Sequence, residues 1–252
     1  MNSNEYKRLY DKLNTRQDIK KVSREEGLDE GLLMVILSQK IVRETKKYYY
    51  EIKNNANKLL GEWIHGRRFT DIAKKEGFPP VLTASLMLQH TGISKKQFKN
   101  YINNPQSIED KRLRLELSEA VNEELIYSPE GTRIQHGRGK DVEWSVKKWL
   151  DSKRIKYTTE YDAKKTAHTK TPDFRLENPM KVGSKWVNWI ECKGSFGDEQ
   201  EYKRDLRKQL SHYVNLFGQG IVIYWYGFID DMPNHLRDEN ILIFDRKFIE
   251  ND

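Results

Sequence analysis

The chain has 252 residues with 45 Lys+Arg against 38 Asp+Glu, a net charge of +7 with the histidines neutral. That length supports one large domain or two small ones with real cores, and 6 Trp, 13 Tyr and 9 Phe exclude a disordered chain. No run approaches the ~20 apolar residues of a membrane span, no charged-then-apolar leader opens the sequence, and one Cys excludes a disulfide framework and a cysteine-rich zinc site, so a reducing compartment, cytoplasmic or nuclear according to the host, is expected.

Residues 1–105 carry 20 Lys+Arg and 12 Asp+Glu, a net +8, whereas residues 106–252 carry 25 and 26, a net −1. A basic module beside a near-neutral one reads as a polyanion-binding arm, and equally as an unselective, solvated lysine-rich surface. The first part is helical in pattern. Thr15 to Glu26 forms a first helix with Thr15 as cap and Gly27 at its end. Leu32, Leu33, Ile36, Leu37 and Ile41 line one face of a second. The segment from Val22 returns at an offset of 50 from Ile72, matching Gly27 to Gly77, Leu28 to Phe78, Leu32 to Leu82 and Ile36 to Leu86. Helix, turn and apolar second helix, twice over, outline two helix-turn-helix-like units, or two helical hairpins that only pack. Between them "ETKKYYYEIKNNANK" can extend the second helix, its lysines facing phosphates or Tyr48, Tyr49 and Tyr50 filling core. Arg67 and Arg68 are candidate nucleic-acid contacts in this region.

Asn103 to Ser107 reads as a boundary, Ile108 to Leu125 as a polar connecting helix, and Tyr127 to Gly139 as a loop. The division expected is therefore 1–105 helical and nucleic-acid-binding, 106–126 connecting helix, and 127–252 an α/β domain. Within the last part Asp141 to Leu150 is a helix with Val142, Val146, Trp149 and Leu150 inward. Strands follow at Lys156 to Tyr161, Thr171 to Leu176 and Trp186 to Lys193, the last preceded by a Gly183-Ser184 turn. A long helix covers Glu199 to Phe217, "GIVIYWYGF" from Gly220 to Phe228 is the most buried strand, and Ile241 to Phe244 adds a short final one.

"TPDF" places Asp173 at the start of a strand, and "WVNWIECKG" places Glu191 and Lys193 two apart on the next. Side chains alternate across a strand, so Trp189, Glu191 and Lys193 share a face, with Ile190 and Cys192 opposite. If those strands pair antiparallel, the Asp173 and Glu191 carboxylates converge. Two such carboxylates repel unless a positive charge lies between them, and oxygen ligands suit Mg²⁺ or Mn²⁺. The Cys192 backbone carbonyl is a further candidate metal oxygen, while its thiol belongs to the core. Lys193 can orient an attacking water and stabilise charge developing on a phosphate. Glu143 is a further candidate ligand, read equally as a solvated helix glutamate. Gln209, on one helix face with Tyr213, can position the lysine or bind DNA backbone, and reads equally as plain helix surface. Arg133, Arg138 and Lys140 flank His136 and are candidate phosphate contacts. His136 itself either meets the scissile phosphate or is a loop histidine without a role.

An acid at a strand entry, Glu-x-Lys on the next strand, an upstream helical Glu and a downstream Gln-x-x-x-Tyr resemble the PD-(D/E)xK nuclease superfamily. "KTPDF", "WIECKGSFGDE" and "GIVIYWYGFI" are similar, more narrowly, to the TPD-motif family within it, over about Tyr127 to Ile229, with a weaker echo in "PPVLTASLML". The resemblance implies an α/β restriction-endonuclease-like core, a mixed central sheet flanked by helices, behind an all-helical region with two helix-turn-helix-like units. It implies a Mg²⁺- or Mn²⁺-dependent nuclease acting on DNA, and a protein partner. Asp173, Glu191 and Lys193 map onto the motif directly, and Glu143 and Gln209 less closely. A silent nuclease-fold adaptor and an RNA-directed nuclease are the alternatives. A homodimer would place two active sites on a duplex.

Overall fold

The computed structural model describes residues 1–163 and 170–250 and has a mixed α/β architecture. Among the described residues, no helix is long and apolar enough to cross a membrane. The chain forms two compact units, one comprising Met1–Leu37 with Gly137–Asp252 and the other Ser38–His136. This grouping differs from a division at residues 105 and 126. The first two helices, α1 (Ser3–Lys12) and α2 (Arg16–Glu26), belong with the sheet. The reason is local. The Met1 ammonium donates to the Phe228 carbonyl, Ser3 donates to Asp231, and the Tyr6 hydroxyl donates to the buried Asp198 carboxylate. Tyr6 also stacks on Phe196 with ring centres 5.2 Å apart. The sequence pattern passed over α1, although Asn2 and Glu5 cap it reciprocally.

The expected α2 is present, with Gly27 in the left-handed conformation at its end. The second helix, α3, runs from Glu30 to Ile64 and does absorb the tyrosine-rich segment. The Ser38–His136 unit then continues through α4 (Phe69–Glu76), α5 (Pro80–Leu88), α6 (Lys95–Asn103) and α7 (Lys111–Glu123). Gly77 ends α4 at φ 59°, as Gly27 ends α2 at φ 66°, so both halves of the internal repeat form the same helix, left-handed glycine, helix device. The two halves belong to different units. The helical unit has its own core of Ile52, Leu59, Phe69, Ile72, Phe78 and Leu117 among others. Asn103 to Ser107 is not a boundary: Pro105–Ser107 is a single helical turn between α6 and α7 inside this unit.

The larger correction is at Tyr127 to Gly139. Instead of a loop, a continuous helix, α8, runs from Pro129 to Ser152. Pro129 fits the first turn, where its missing N–H is not needed, and the Ser128 hydroxyl accepts from the Gly131 N–H at 3.0 Å. Gly131 is required by contact, because a Cβ there would lie 2.3 Å from the Leu125 carbonyl oxygen. Three glycines in thirteen residues imitate a loop, yet packing further along the helix overrides their weak propensity.

Among the described residues the sheet has five strands in the order β1 (Tyr157–Thr159), β2 (Phe174–Val182), β3 (Lys185–Lys193), β4 (Gly220–Tyr224) and β5 (Ile241–Phe244). The first three are antiparallel neighbours, and β3, β4 and β5 run parallel. Val146, Trp149 and Leu150 of α8 pack on Phe174, Leu176, Ile190, Ile221 and Ile223. After β1 a short helical turn, α9 (Glu160–Ala163), replaces the expected end of the strand, and β2 begins at Phe174, one residue after Asp173. The long helix is present as α10 (Glu199–Asp205), a π-helical turn over Leu206–Leu210, and α11 (Ser211–Phe217). A terminal turn, α12 (Lys247–Glu250), follows β5.

Gly220 opens β4 beneath the Trp189 indole, where an added Cβ would meet ring atoms at 2.0 Å. Gly220→Ala is expected to cost about 1–3 kcal/mol by overpacking. Gly137→Ala, in α8 with open space around the new methyl, is expected to gain about 0.5–1 kcal/mol. Urea unfolding tests both: midpoints moving in opposite directions at constant m confirm the contrast, and a neutral Gly220→Ala contradicts the packing argument.

Candidate active site

The turn at Gly183, whose φ is 61°, closes the β2–β3 hairpin, and a bulge in β2 between Arg175 and Met180 shifts the pairing away from the register that the turn alone would give. Phe174 pairs with Ile190, so Asp173 stands beside Glu191 at the same sheet end. The backbone fixes both carboxylates. Asp173 Oδ2 accepts the Cys192 N–H at 2.7 Å, and the Asp173 N–H donates to Glu191 Oε2 at 3.3 Å. Lys193 shares the Glu191 face, as alternation requires, and its Nζ donates to Glu191 Oε1 at 2.6 Å and to Gln209 Oε1 at 2.6 Å. The Glu191 and Lys193 side chains are only 4% and 15% exposed, so this is no solvated surface pair.

Gln209 lies on the π-helical turn, which adds a residue to the helix repeat and turns the amide toward Lys193. One turn later the buried Tyr213 hydroxyl donates to the Thr171 carbonyl at 3.0 Å and ties down the segment leading into Asp173. Tyr213 also packs edge-on against Trp189 with centres 5.5 Å apart.

Burial sets the electrostatics. Loss of water pushes Asp173 up to about 6 and is reinforced by Glu143, against the lowering bond from the Cys192 N–H. The same loss, followed by repulsion from Asp173, pushes Glu191 up to about 7 despite Lys193. The two carboxyls titrate as a coupled pair. Burial works to discharge Lys193, but Glu191 and then Asp205 hold it above the ordinary ammonium range. Glu143 stands at the rim with its carboxyl partly stripped of water, and Glu160 and Glu191 push its pKa upward too. The Cys192 thiol packs with the core cluster under α8, and burial raises its pKa well above normal, so it stays neutral.

Beside the pair opens a cleft of about 320 Å³, lined by Lys140, Glu143 and Trp144 of α8, by Glu160 and Tyr161, and by Asp173. Glu160 was not among the candidates from sequence; its N–H donates to the Asp173 carbonyl at 3.2 Å. Asp205 was missed as well. It is buried, accepts from the Tyr224 hydroxyl at 3.0 Å and supports Lys193 electrostatically. Its position four residues before Gln209 was the available signal.

The remaining candidates separate. Arg138, half-buried, and Lys140, exposed, lie on α8 toward this site, and the Arg138 backbone sits 3.3 Å from where a Gly194 Cβ would be. His136 and Arg133 are exposed helix residues in the other unit, and Arg133 pairs with Glu130. Arg67 pairs with Glu62 and Arg68 with Glu119 in that same unit.

Among the described residues, no group of three or more His, Cys, Asp and Glu side chains is gathered closely enough to hold a metal alone. The donors do fit Mg²⁺, which is bound through one or two carboxylates and keeps several waters. Two buried carboxyls held above their normal pKa are what a divalent cation would relieve.

A family model described as "Protein of unknown function TPD sequence-motif" matches residues 109–247. CDAN1-interacting nuclease 1 of Homo sapiens is 29% identical over 255 residues, covering 91% of this chain and 87% of its own length. The Mus musculus protein of that name is 28% identical over 250 residues with the same coverage, and that of Xenopus laevis 32% identical over 182 residues, covering 69% of this chain and 60% of its own. No solved structure matches.

The raised carboxyls fix a pH dependence. Folded Asp173 and Glu191 keep protons that the unfolded chain releases from about pH 4 upward. Their contribution therefore favours folding at low pH and is lost as pH rises through about 6 and about 7. Asp173→Asn keeps an acceptor for the Cys192 N–H and removes the buried charge. In EDTA its Tm is expected to rise relative to the unsubstituted chain between pH 5 and pH 8; a difference independent of pH would refute the linkage.

Proposed function

Because the chain belongs to the TPD-motif family, we propose that it is a metal-dependent nuclease that hydrolyses phosphodiester bonds in DNA, as an endonuclease built on a PD-(D/E)xK core. One observation carries this reading: Asp173, Glu191 and Lys193 meet in a partly buried cluster, and Gln209 holds the lysine. The names of the relatives agree with it. Asp173 and Glu191 would hold Mg²⁺ or Mn²⁺, with the Cys192 carbonyl and Glu143 as further oxygens. A bound ion would supply positive charge to the scissile phosphate and lower the pKa of the attacking water.

The chain's own residues then do three things. Among the described residues, Glu191 and Gln209 use two of the three Lys193 N–H donors, leaving one for the incoming water or a phosphate oxygen. A carboxylate oxygen of the pair that the ion leaves unligated can accept the proton released as the water attacks. Arg138 and Lys140 flank the cleft with positive charge for the phosphates on either side of the scissile bond.

The helical unit and the α2–α3 hairpin contribute position on DNA in this reading. Arg67, Arg68 and Arg133 are themselves exposed and pair with Glu62, Glu119 and Glu130 at the surface, where such pairing is weak in water, so phosphates can replace the glutamates. The names of the relatives also point to a protein partner related to CDAN1 for this chain.

Asp173→Ala and Lys193→Ala are each expected to lower cleavage of DNA by at least about 1,000-fold while leaving DNA binding in Ca²⁺ within about two-fold. Gln209→Ala is expected to cost about ten-fold, because Lys193 loses its second anchor. A gel assay over linear, flapped and branched DNA, with matched RNA, checks this. Cleavage that persists in EDTA, or full activity in the Asp173→Ala variant, contradicts the assignment. Absence of cleavage on every substrate favours an adaptor, and faster cleavage of RNA an RNA-directed enzyme.

A further inference from the structure

The cleft beside Asp173 has a second wall that the cleavage chemistry does not use. Trp144 is 57% exposed and Tyr161 is 72% exposed, and both line it. Trp149, one and a half turns further along α8, is buried in the core, so the helix has no need of Trp144 for packing. Lys140, Trp144 and Lys148 stand four residues apart and share one helix face. The Lys148 ammonium sits 3.6 Å from the centre of the Trp144 ring, and Lys140 lines the cleft with it.

Large aromatic faces interleaved with lysines, in a groove that leads to a phosphate-cleaving centre, match one kind of ligand. Every base has a π-face, and the backbone that carries it is anionic. In a duplex those faces are stacked on one another and out of reach. The cleft's ~320 Å³ lies in the range that encloses a small ligand such as a single nucleotide.

We propose that Trp144 and Tyr161 are a base-stacking platform, so that this site takes single-stranded DNA, or the unpaired arm of a splayed duplex, rather than continuous duplex. The inference rests on the nuclease reading for its purpose, and its test does not require cleavage. Trp144 and Tyr161 are specificity-determining residues here: they touch the bases next to the scissile bond and leave the hydrolysis itself to the carboxylates and lysine.

The test uses the full chain in Ca²⁺ with a fluorescein-labelled dT20 strand, the same strand with abasic sites through its centre, and a blunt 20-base-pair duplex, read by fluorescence anisotropy. The unsubstituted chain is expected to bind dT20 more tightly than the duplex. Trp144→Ala and Tyr161→Ala are each expected to weaken dT20 binding roughly ten-fold and leave duplex binding unchanged. Trp144→Phe is expected to restore most of the affinity. On the abasic strand the unsubstituted chain and the alanine variants should bind alike. Both positions are exposed, so circular dichroism should show the variants folded. Equal loss on dT20 and the abasic strand, no loss on dT20, or failure of the unsubstituted chain to bind dT20 overturns the proposal and leaves this face to a protein partner. Base-dependent loss without any Mg²⁺-dependent cleavage would retain the platform and refute the nuclease reading; cleavage with unchanged dT20 binding would do the reverse.

Discussion

Two carboxylates that repel each other are held together at the end of one β-hairpin, and much of the sheet unit is arranged around that constraint. The β2–β3 register brings Asp173 level with Glu191. The Cys192 and Asp173 backbone N–H groups each donate to the neighbouring carboxylate, so peptide geometry rather than flexible side chains fixes their approach. Burial makes ionising both costly. Lys193 neutralises one side of the pair from the same strand, and Asp205 and Gln209 keep that ammonium in place from the long helix.

The π-helical turn is part of the same arrangement. An uninterrupted α-helix through Leu206–Leu210 would rotate the residues after it by about 100° relative to their present face. The inserted residue lets Gln209 meet Lys193 while Tyr213, in the following turn, reaches back to the Thr171 carbonyl. One irregularity thus positions the lysine's partner and also anchors the strand entry that carries Asp173. Asp198 starts this helix by capping Glu201, and it receives the Tyr6 hydroxyl from α1 as well. The amino-terminal helix thereby contributes to the placement of the helix that bears Gln209.

The shared face of Glu191 and Lys193 was legible in sequence because period-two alternation determines it, and the Gly183 turn announced the hairpin; the pairing of Asp173 with Glu191 depends in addition on the bulge in β2 between Arg175 and Met180, which no local pattern announced. The left-handed glycines at 27 and 77 were legible for a similar reason, since a helix ending in Glu-Gly has few other ways to stop. What sequence concealed depends on contacts distant along the chain. The glycines at 131, 137 and 139 signalled a loop, and only the packing of Val142, Val146 and Leu150 shows why the helix extends back through them. Glu160 and Asp205 read as ordinary charged residues until β1 and α10 place them around the pair. The membership of residues 1–37 in the sheet unit rests on bonds across more than 190 positions, which no local pattern contains.

Helix α8 shows how one element serves separate demands. Its 3.6-residue repeat sends Val142, Val146 and Leu150 into the sheet's core, Glu143 to the rim of the carboxylate pair, and Lys140, Trp144 and Lys148 along the outer wall of the cleft. The buried stripe fixes the rotation of the helix, and that rotation fixes where the other two sets point. A substitution that let the helix turn about its axis would move the acid and the aromatic together. The acidic and aromatic walls of the cleft are therefore coupled through the same three apolar side chains.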